Sequence, residues 1–380
     1  MQIYLDYAAD APIRDVAIRA MGAEWKNAGN ASQFHASGRH KAKVLSTAKR
    51  DLADLLECSE HQIVLTSGGT EANNLAIKGV WDGQFDSSSA KKRNRIVLSA
   101  VEHPSVIESA KYLAETRGAL IDFLPVDAHG IIDLTALEKA LNDDVLLVSV
   151  QTVNNETGAI QPVCAAASLS HSAGALFHTD AIQAFTHLPV KLANNIDFIS
   201  LSSHKIGGPE GIGALVVRNR KLLHAQMSGG GQELGSRSGT ESPVLATGFA
   251  VAAKDAHASM HNENSRYFAF YKTITDWIKS HDAMRLNSPT ALNNFAVPNI
   301  INFSIKNLDS ESLLFMLDEQ EVSVSIGSAC HAGVQRVSHV IDAMRVPDEW
   351  RKGQIRVSFG HATTSDDIAA LIKAAEQAVL

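Results

Sequence analysis

Cysteine is scarce in this chain. Three occur in 380 residues, Cys58, Cys164 and Cys330. They are too few and too scattered for a disulfide framework or a zinc cluster, so the reading is a reducing compartment and no metal site. Long apolar runs are missing as well. No stretch approaches the length that crosses a bilayer, and the opening Met1-Gln2-Ile3-Tyr4-Leu5-Asp6 lacks the basic-then-apolar order of a secretory signal. Membrane insertion and secretion are not expected, and a cytoplasmic location is. Positive charge is not in excess either. The formal net charge of −7 gives no global case for direct nucleic-acid or membrane binding. No internal repeat or low-complexity linker breaks the chain. The glycines do not form the spaced dinucleotide fingerprint, which counts against a nucleotide-binding oxidoreductase.

What is present is an ordinary globular composition, 45% hydrophobic and 20% charged, long enough for large cores and two domains. Short apolar runs at Ile63-Val64-Leu65, Ile96-Val97-Leu98, 120–124, 145–150, 175–178, 196–201 and 214–217 read as strands. Most are separated by helical patterns or long connections, which predicts an α/β fold with a mainly parallel sheet covered on both faces by helices. Ser37 is the expected cap of a helix carrying Val44, Leu45, Ala48, Leu52 and Leu55 on one face. A second helix is expected from about Thr70 to Val80. A third should start at Pro104 and end near Gly118, with proline inside the start and glycine past the end. The polar stretch from Asp82 to Arg95 reads as a solvated loop. Cys58 and Cys164 read as inert packing residues. From about Ser242 the texture changes to long helical patterns, including Asn264 to Ser280, with strands near 300–305, 322–325 and 355–359. The expected division is a large domain over 15–255 and a smaller α+β domain built from 1–14 and 256–380.

Candidate chemistry clusters where apolar runs end. Lys205, in Ser202-Ser203-His204-Lys205, follows the run 196–201, an awkward place for a residue whose amine is costly to bury. Asp180 ends another run. A lysine for a Schiff base and an acid for a pyridinium nitrogen are the two groups a pyridoxal phosphate (PLP) site needs most, although an ion pair at a strand end also accounts for Lys205 alone. Ser67-Gly68-Gly69-Thr70-Glu71 joins a strand to a helix. Its glycines and free N–H groups suit a phosphate, or serve as a plain glycine turn with a threonine cap. His103, in Glu102-His103-Pro104, can lay its ring on an aromatic cofactor or simply be a bonded loop histidine. Asn154-Asn155-Glu156-Thr157-Gly158 can orient a ligand or form a turn. Gln183 lies three residues beyond Asp180 and faces the same pocket if a helical turn starts there. Cys330 sits among small residues in Gly327-Ser328-Ala329-Cys330-His331-Ala332-Gly333, surroundings that favour a reactive thiol over a packing one.

Taken in order, these segments resemble the cysteine desulfurases of the nitrogen-fixation and iron–sulfur housekeeping group, within the class V aminotransferase-like PLP enzymes. The matching segments run from Tyr4-Leu5-Asp6 to Ile355-Arg356-Val357-Ser358 and include Gly68-Gly69-Thr70-Glu71-Ala72-Asn73-Asn74, Asp180-Ala181-Ile182-Gln183, Arg237-Ser238-Gly239-Thr240 and Gly327-Ser328-Ala329-Cys330. The resemblance implies the PLP fold type I and a role for each residue. Lys205 would carry the cofactor and shuttle protons, Asp180 would pair with its ring nitrogen, and His103 would stack on the ring. Asn154 and Gln183 would bond the ring oxygen. Gly69, Thr70, Ser202 and His204 would hold the phosphate, joined by Thr240 from the second subunit of a homodimer. Arg356 would clamp the carboxylate of L-cysteine, with Asn30 a weaker candidate. Cys330 would take the sulfur as a persulfide and hand it to an acceptor protein serving iron–sulfur assembly, tRNA thiolation or DNA sulfur modification. A selenocysteine lyase or aminotransferase of the same fold is the alternative. Ala31, Glu210 and Val337 stand where relatives often carry proline, lysine and proline. The chain also stops soon after its last helical pattern, without the longer tail some housekeeping relatives use for scaffold docking, so the identity of the acceptor stays open.

Overall fold

The computed structural model describes residues 2–86, 92–192, 195–291, 295–326 and 337–379. The chain opens with β1 (Ile3–Tyr4), α1 (Asp15–Trp25) and α2 (Ala36–Leu55). A central sheet follows, made of β2 (Ile63–Thr66), β3 (Arg95–Ser99), β4 (Leu120–Leu124), β5 (Val145–Ser149), β6 (Leu176–Asp180), β7 (Phe198–Ser202) and β8 (Gly213–Val217). Their order is β2-β8-β7-β6-β5-β3-β4. β8 runs against both its neighbours, and the other pairings are parallel. Helices α3 (Gly69–Asp86), α4 (Pro104–Arg117), α5 (Leu134–Ala140) and α6 (Val163–Ser172) lie in the connections.

Apart from the edge strand β4, whose Leu120 and Phe123 are exposed, the sheet is buried on both faces, which is why its strands read as unbroken apolar runs rather than alternating ones. Along β7, Phe198 enters the core shared with α3 and α4, while Ile199 and Leu201 enter the opposite core with α2 and α6. The local signals for α4 hold. Pro104 occupies its first turn and Gly118 closes it in the left-handed conformation, at φ 72°. The cap of α2 differs from the expectation. His35, not Ser37, accepts the Gly38 N–H, because the helix begins at Ala36. Helix α3 also runs past Val80. Buried Trp81 belongs to the same core as Val80 and carries the helix into what looked like a polar loop. Cys58 is half-buried, and burial with nearby Asp54 pushes its thiol up to about 11. Cys164 is exposed rather than packed, since α6 turns Ala166, Ala167 and Ser170 inward.

The second half is organised by α7 (Pro243–Lys279), far longer than the helix expected from Asn264. Its extra turns come from an alanine stripe, Ala246, Ala250 and Ala253, that packs against the first core. Beyond it come β9 (Met284–Leu286), β10 (Ile300–Ile305), α8 (Ser310–Glu319), β11 (Val322–Ser323), α9 (His339–Ala343), α10 (Asp348–Arg351), β12 (Gln354–Ser358) and α11 (Ser365–Val379). Strands β12-β10-β9 form an antiparallel sheet, and β1 pairs in parallel with β11. Tyr267, Ile274 and Phe303 build this core together with Leu5 from the start of the chain. We propose the domain boundary between 255 and 256, inside α7. Residues through Ala253 pack in the first core and those from Tyr267 in the second.

Candidate active site

The carboxyl ends of parallel strands, where the backbone leaves the sheet and helix N-termini begin, are where α/β folds place ligands. Here β2, β3, β5, β6 and β7 end around one cavity of about 150 Å³. Gly69, Thr70, His103, Asp180, Gln183, Ser202, His204 and Lys205 all line it.

Asp180 is the last residue of β6 and is buried. Neutral donors hold its carboxylate: the Asn73 amide at 2.7 Å and the Ile182 N–H at 3.0 Å. Gln183 faces the same cavity as expected, and its amide donates to the Ala8 carbonyl at 2.8 Å. Lys205 lies in a short 3-10 turn after β7. Its Nζ donates to Ala8 O at 2.7 Å and also to Ala9 O. Burial first, and then the Arg356 guanidinium, press its pKa down to about 8. The amine is thus held by neutral carbonyls in a partly dry site, poised to exist in both protonation states near neutrality.

His103 caps α4, its Nδ1 accepting the Ser105 N–H at 3.1 Å, and burial lowers its pKa. The phosphate-suited turn lies at the start of α3. A Cβ on Gly69 would lie 2.2 Å from Ile182 Cδ1 and 3.4 Å from Ser202 Cβ, so a larger residue would push the end of the Ile182 side chain aside at this wall. Glu71 is turned away from the cradle, bound by Arg237 at 2.8 Å and by the Ser67 N–H at 2.7 Å. Burial holds the nearby His204 down at about 4, so it lines the cradle as a neutral ring.

Other expected residues lie elsewhere. Asn154 is buried outside the cavity lining, and its side-chain Oδ1 accepts from Glu156 N, Thr157 N and the Thr157 hydroxyl while its Nδ2 donates to Val101 O. Its neighbour Asn155 is the one in the lining. Asn30 is exposed and bonds its own turn at Ser32 N, and Thr240 is exposed outside the cavity. Arg356, buried on β12, donates to Asn155 O at 2.9 Å and pairs with Asp6 at 2.7 Å. Cys330 lies outside the described residues. The segment that follows it joins the site region through two contacts. The Ser338 hydroxyl donates to buried Glu156 at 2.6 Å, and His339 Nε2 meets Glu102 O at 2.9 Å. Burial pushes Glu156 up to about 7 and Glu102 well above the ordinary carboxylate range.

Sequence reasoning missed Asn73, Ser105 and Gln151 as parts of the site. Asn73 stood in a quoted motif, but nothing local showed that it reaches Asp180, 107 residues away.

The donor set fits pyridoxal phosphate. A buried carboxylate hydrogen-bonded by neutral donors suits a ring N–H, a depressed amine suits an aldehyde, and a glycine-bearing helix start suits a phosphate dianion. A family model described as Aminotransferase class-V matches residues 3–371, and the chain belongs to that family. Among particular relatives, it is 37% identical to the IscS-like cysteine desulfurase of Mycobacterium tuberculosis, over 99% of this chain and 96% of that protein. Among solved structures, a NifS-like protein superposes with a TM-score of 0.91 at 28% identity, covering 99% of both chains. SspA in complex with cysteine superposes with a TM-score of 0.81 at 30% identity, covering 95% of this chain and 99% of that one. Its NifS-like neighbours and mostly parallel sheet identify the fold as PLP fold type I.

Proposed function

We propose that this chain is a cysteine desulfurase, converting L-cysteine to L-alanine and leaving the sulfur as a persulfide on Cys330. One observation carries the reading: the Lys205 amine and the Asp180 carboxylate line a single cavity at the strand ends, the amine held by backbone carbonyls and the carboxylate by neutral donors. Lys205, Asp180, His103, Gln183 and the Gly69–Thr70 turn would hold pyridoxal phosphate, with Ser202 and His204 beside the phosphate. When bound, that group supplies the electron sink that lets bonds at the amino acid's α- and β-carbons break.

The chain's own residues do the rest. Arg356 receives the substrate carboxylate. Lys205, with a pKa near 8, takes up a proton on Nζ and returns it without leaving the pocket. The Cys330 thiolate attacks the substrate sulfur, the carbon–sulfur bond breaks, and a sulfur–sulfur bond forms. The carbon fragment gains the proton the thiol gave up and leaves as alanine, so one thiol and one cysteine become one persulfide and one alanine. Supporting context comes from a relative named for this activity and a structural neighbour holding cysteine. The same reading includes a homodimer in which Thr240 completes the neighbouring cradle, a minor substrate contact at Asn30, a cytoplasmic location and a protein sulfur acceptor. Among the described residues no helix is long and apolar enough to cross a membrane.

The test is direct. Borohydride treatment of the yellow holoprotein should fix the cofactor onto Lys205, read by peptide mass. L-Cysteine should yield alanine without an added keto acid. Cys330→Ala should stay yellow and lose sulfide release by at least about a hundredfold. Full activity in Cys330→Ala would refute the sulfur-carrier role.

A further inference from the structure

The buried Arg356 fork is not free to choose its own orientation. Its backbone is pinned between β10, where Asn302 faces it, and Ser325, which it bonds in both directions at 2.7 and 3.1 Å. A guanidinium offers five N–H donors in one plane. Nη1 gives one to Asn155 O at 2.9 Å, and Nη2 gives one to Asp6 Oδ1 at 2.7 Å. Nε is buried with no partner among the described residues. Three donors are left, and the Nε–H with an Nη2–H makes the two-pronged edge that a carboxylate fits side-on.

Asp6 is itself held. It bridges to Ser358, whose hydroxyl accepts the Ala8 N–H at 2.9 Å and whose N–H meets Leu5 O at 2.8 Å. The next residues along, Ala8 and Ala9, supply the carbonyls that hold Lys205. One short stretch near the start of the chain therefore orients both cations of the site. Asp6 also screens them from each other: its charge favours the protonated Lys205 amine while that of Arg356 opposes it.

We propose that Asp6 is a positioning residue for substrate recognition. Together with the Asn155 carbonyl, it locks the plane of Arg356 so that the Nε edge meets the α-carboxylate of the amino acid. The proposal rests on the reading that Arg356 binds that carboxylate. Its test is calorimetric binding to the holoprotein of L-alanine, which carries the carboxylate, and of ethylamine, which does not. Neither ligand has sulfur to lose, so binding is read without turnover.

Asp6→Ala should weaken L-alanine by about tenfold and leave ethylamine within about twofold, a loss the size of one charged hydrogen bond. Asp6→Asn, which keeps an acceptor oxygen but not the charge, should recover most of the L-alanine affinity. Equal losses for both ligands, no loss for either, or tighter L-alanine binding would each overturn the positioning role, the last by making Asp6 a competitor for the fork. The Arg356→Ala protein separates the two readings. If it and the wild type alike bind L-alanine no better than ethylamine, the carboxylate clamp itself fails. If Arg356→Ala loses L-alanine selectively and Asp6→Ala does not, only the Asp6 inference fails.

Discussion

Lys205 shows what one residue in this site costs the fold. An amine held at about 8 binds its proton less readily folded than unfolded, where the ordinary value is 10.5. Between those values the unfolded chain carries more protons, so stability rises with pH through that window, and below about 8 the whole cost is borne. Lys205→Met removes the titration. In the cofactor-free protein, the excess stability of the variant over wild type should therefore shrink by about 2–3 kcal/mol from pH 8 to pH 10.5, measured by urea unfolding at each pH. A flat difference would mean the amine is better solvated than its carbonyl cage indicates. Lys205 and Asp180 were legible in the sequence because each is a charged residue closing an apolar run. Asp6 was visible only as part of a motif, since the arginine it orients lies 350 residues away. The amides were legible as a pair, but not which would face the cavity. Asn154 is consumed by its own turn, where three donors converge on one oxygen.

At the scale of elements, strand positions were read best, because burial on both faces leaves short apolar runs bounded by polar residues. Helix ends were read less well. A histidine ring nitrogen capped α2 where a serine was expected, and α7 grew by some twenty residues because small alanines pack closely without the bulky periodicity that usually marks a helix face. Contacts between elements distant in sequence were not legible at all. The Ser338 hydroxyl both caps α9 at Val340 N and satisfies buried Glu156 on the loop after β5. Ser338→Ala should cost about 2 kcal/mol, since it strips a helix cap and leaves a buried carboxyl oxygen unpaired. Chemical denaturation checks this. A double-mutant cycle with Glu156→Gln should return a coupling of about 1 kcal/mol or more, whereas an additive cycle would mean the bond is idle.

Across the whole molecule, Arg14 ties three parts of the chain together. Its backbone N–H meets Gly207 O at 2.8 Å and its Nε meets Ile206 O at 3.0 Å, beside Lys205. Its remaining nitrogens reach Asp255 at 2.9 Å and Glu263 at 3.1 Å, on the stretch of α7 that passes from one core to the other. Arg14→Met should destabilise the protein by about 3 kcal/mol, because it strands the mostly buried Glu263 without its cation. Urea unfolding would show it, and a loss below about 0.5 kcal/mol would mean the tie is solvated away.

The pairing of Ile3 with Val322 also has a consequence for biosynthesis. A ribosome adding about 5–20 residues per second needs roughly 15–60 s to travel from one partner to the other. Throughout that interval the leading strand lacks its partner in the sheet. The Lys205 amine can meet the Ala8 and Ala9 carbonyls before Arg356 has been synthesised. The contacts of Ala8 and Ala9 with Lys205 can therefore form before the Ile3–Val322 pairing, which has to wait for the strand at 322.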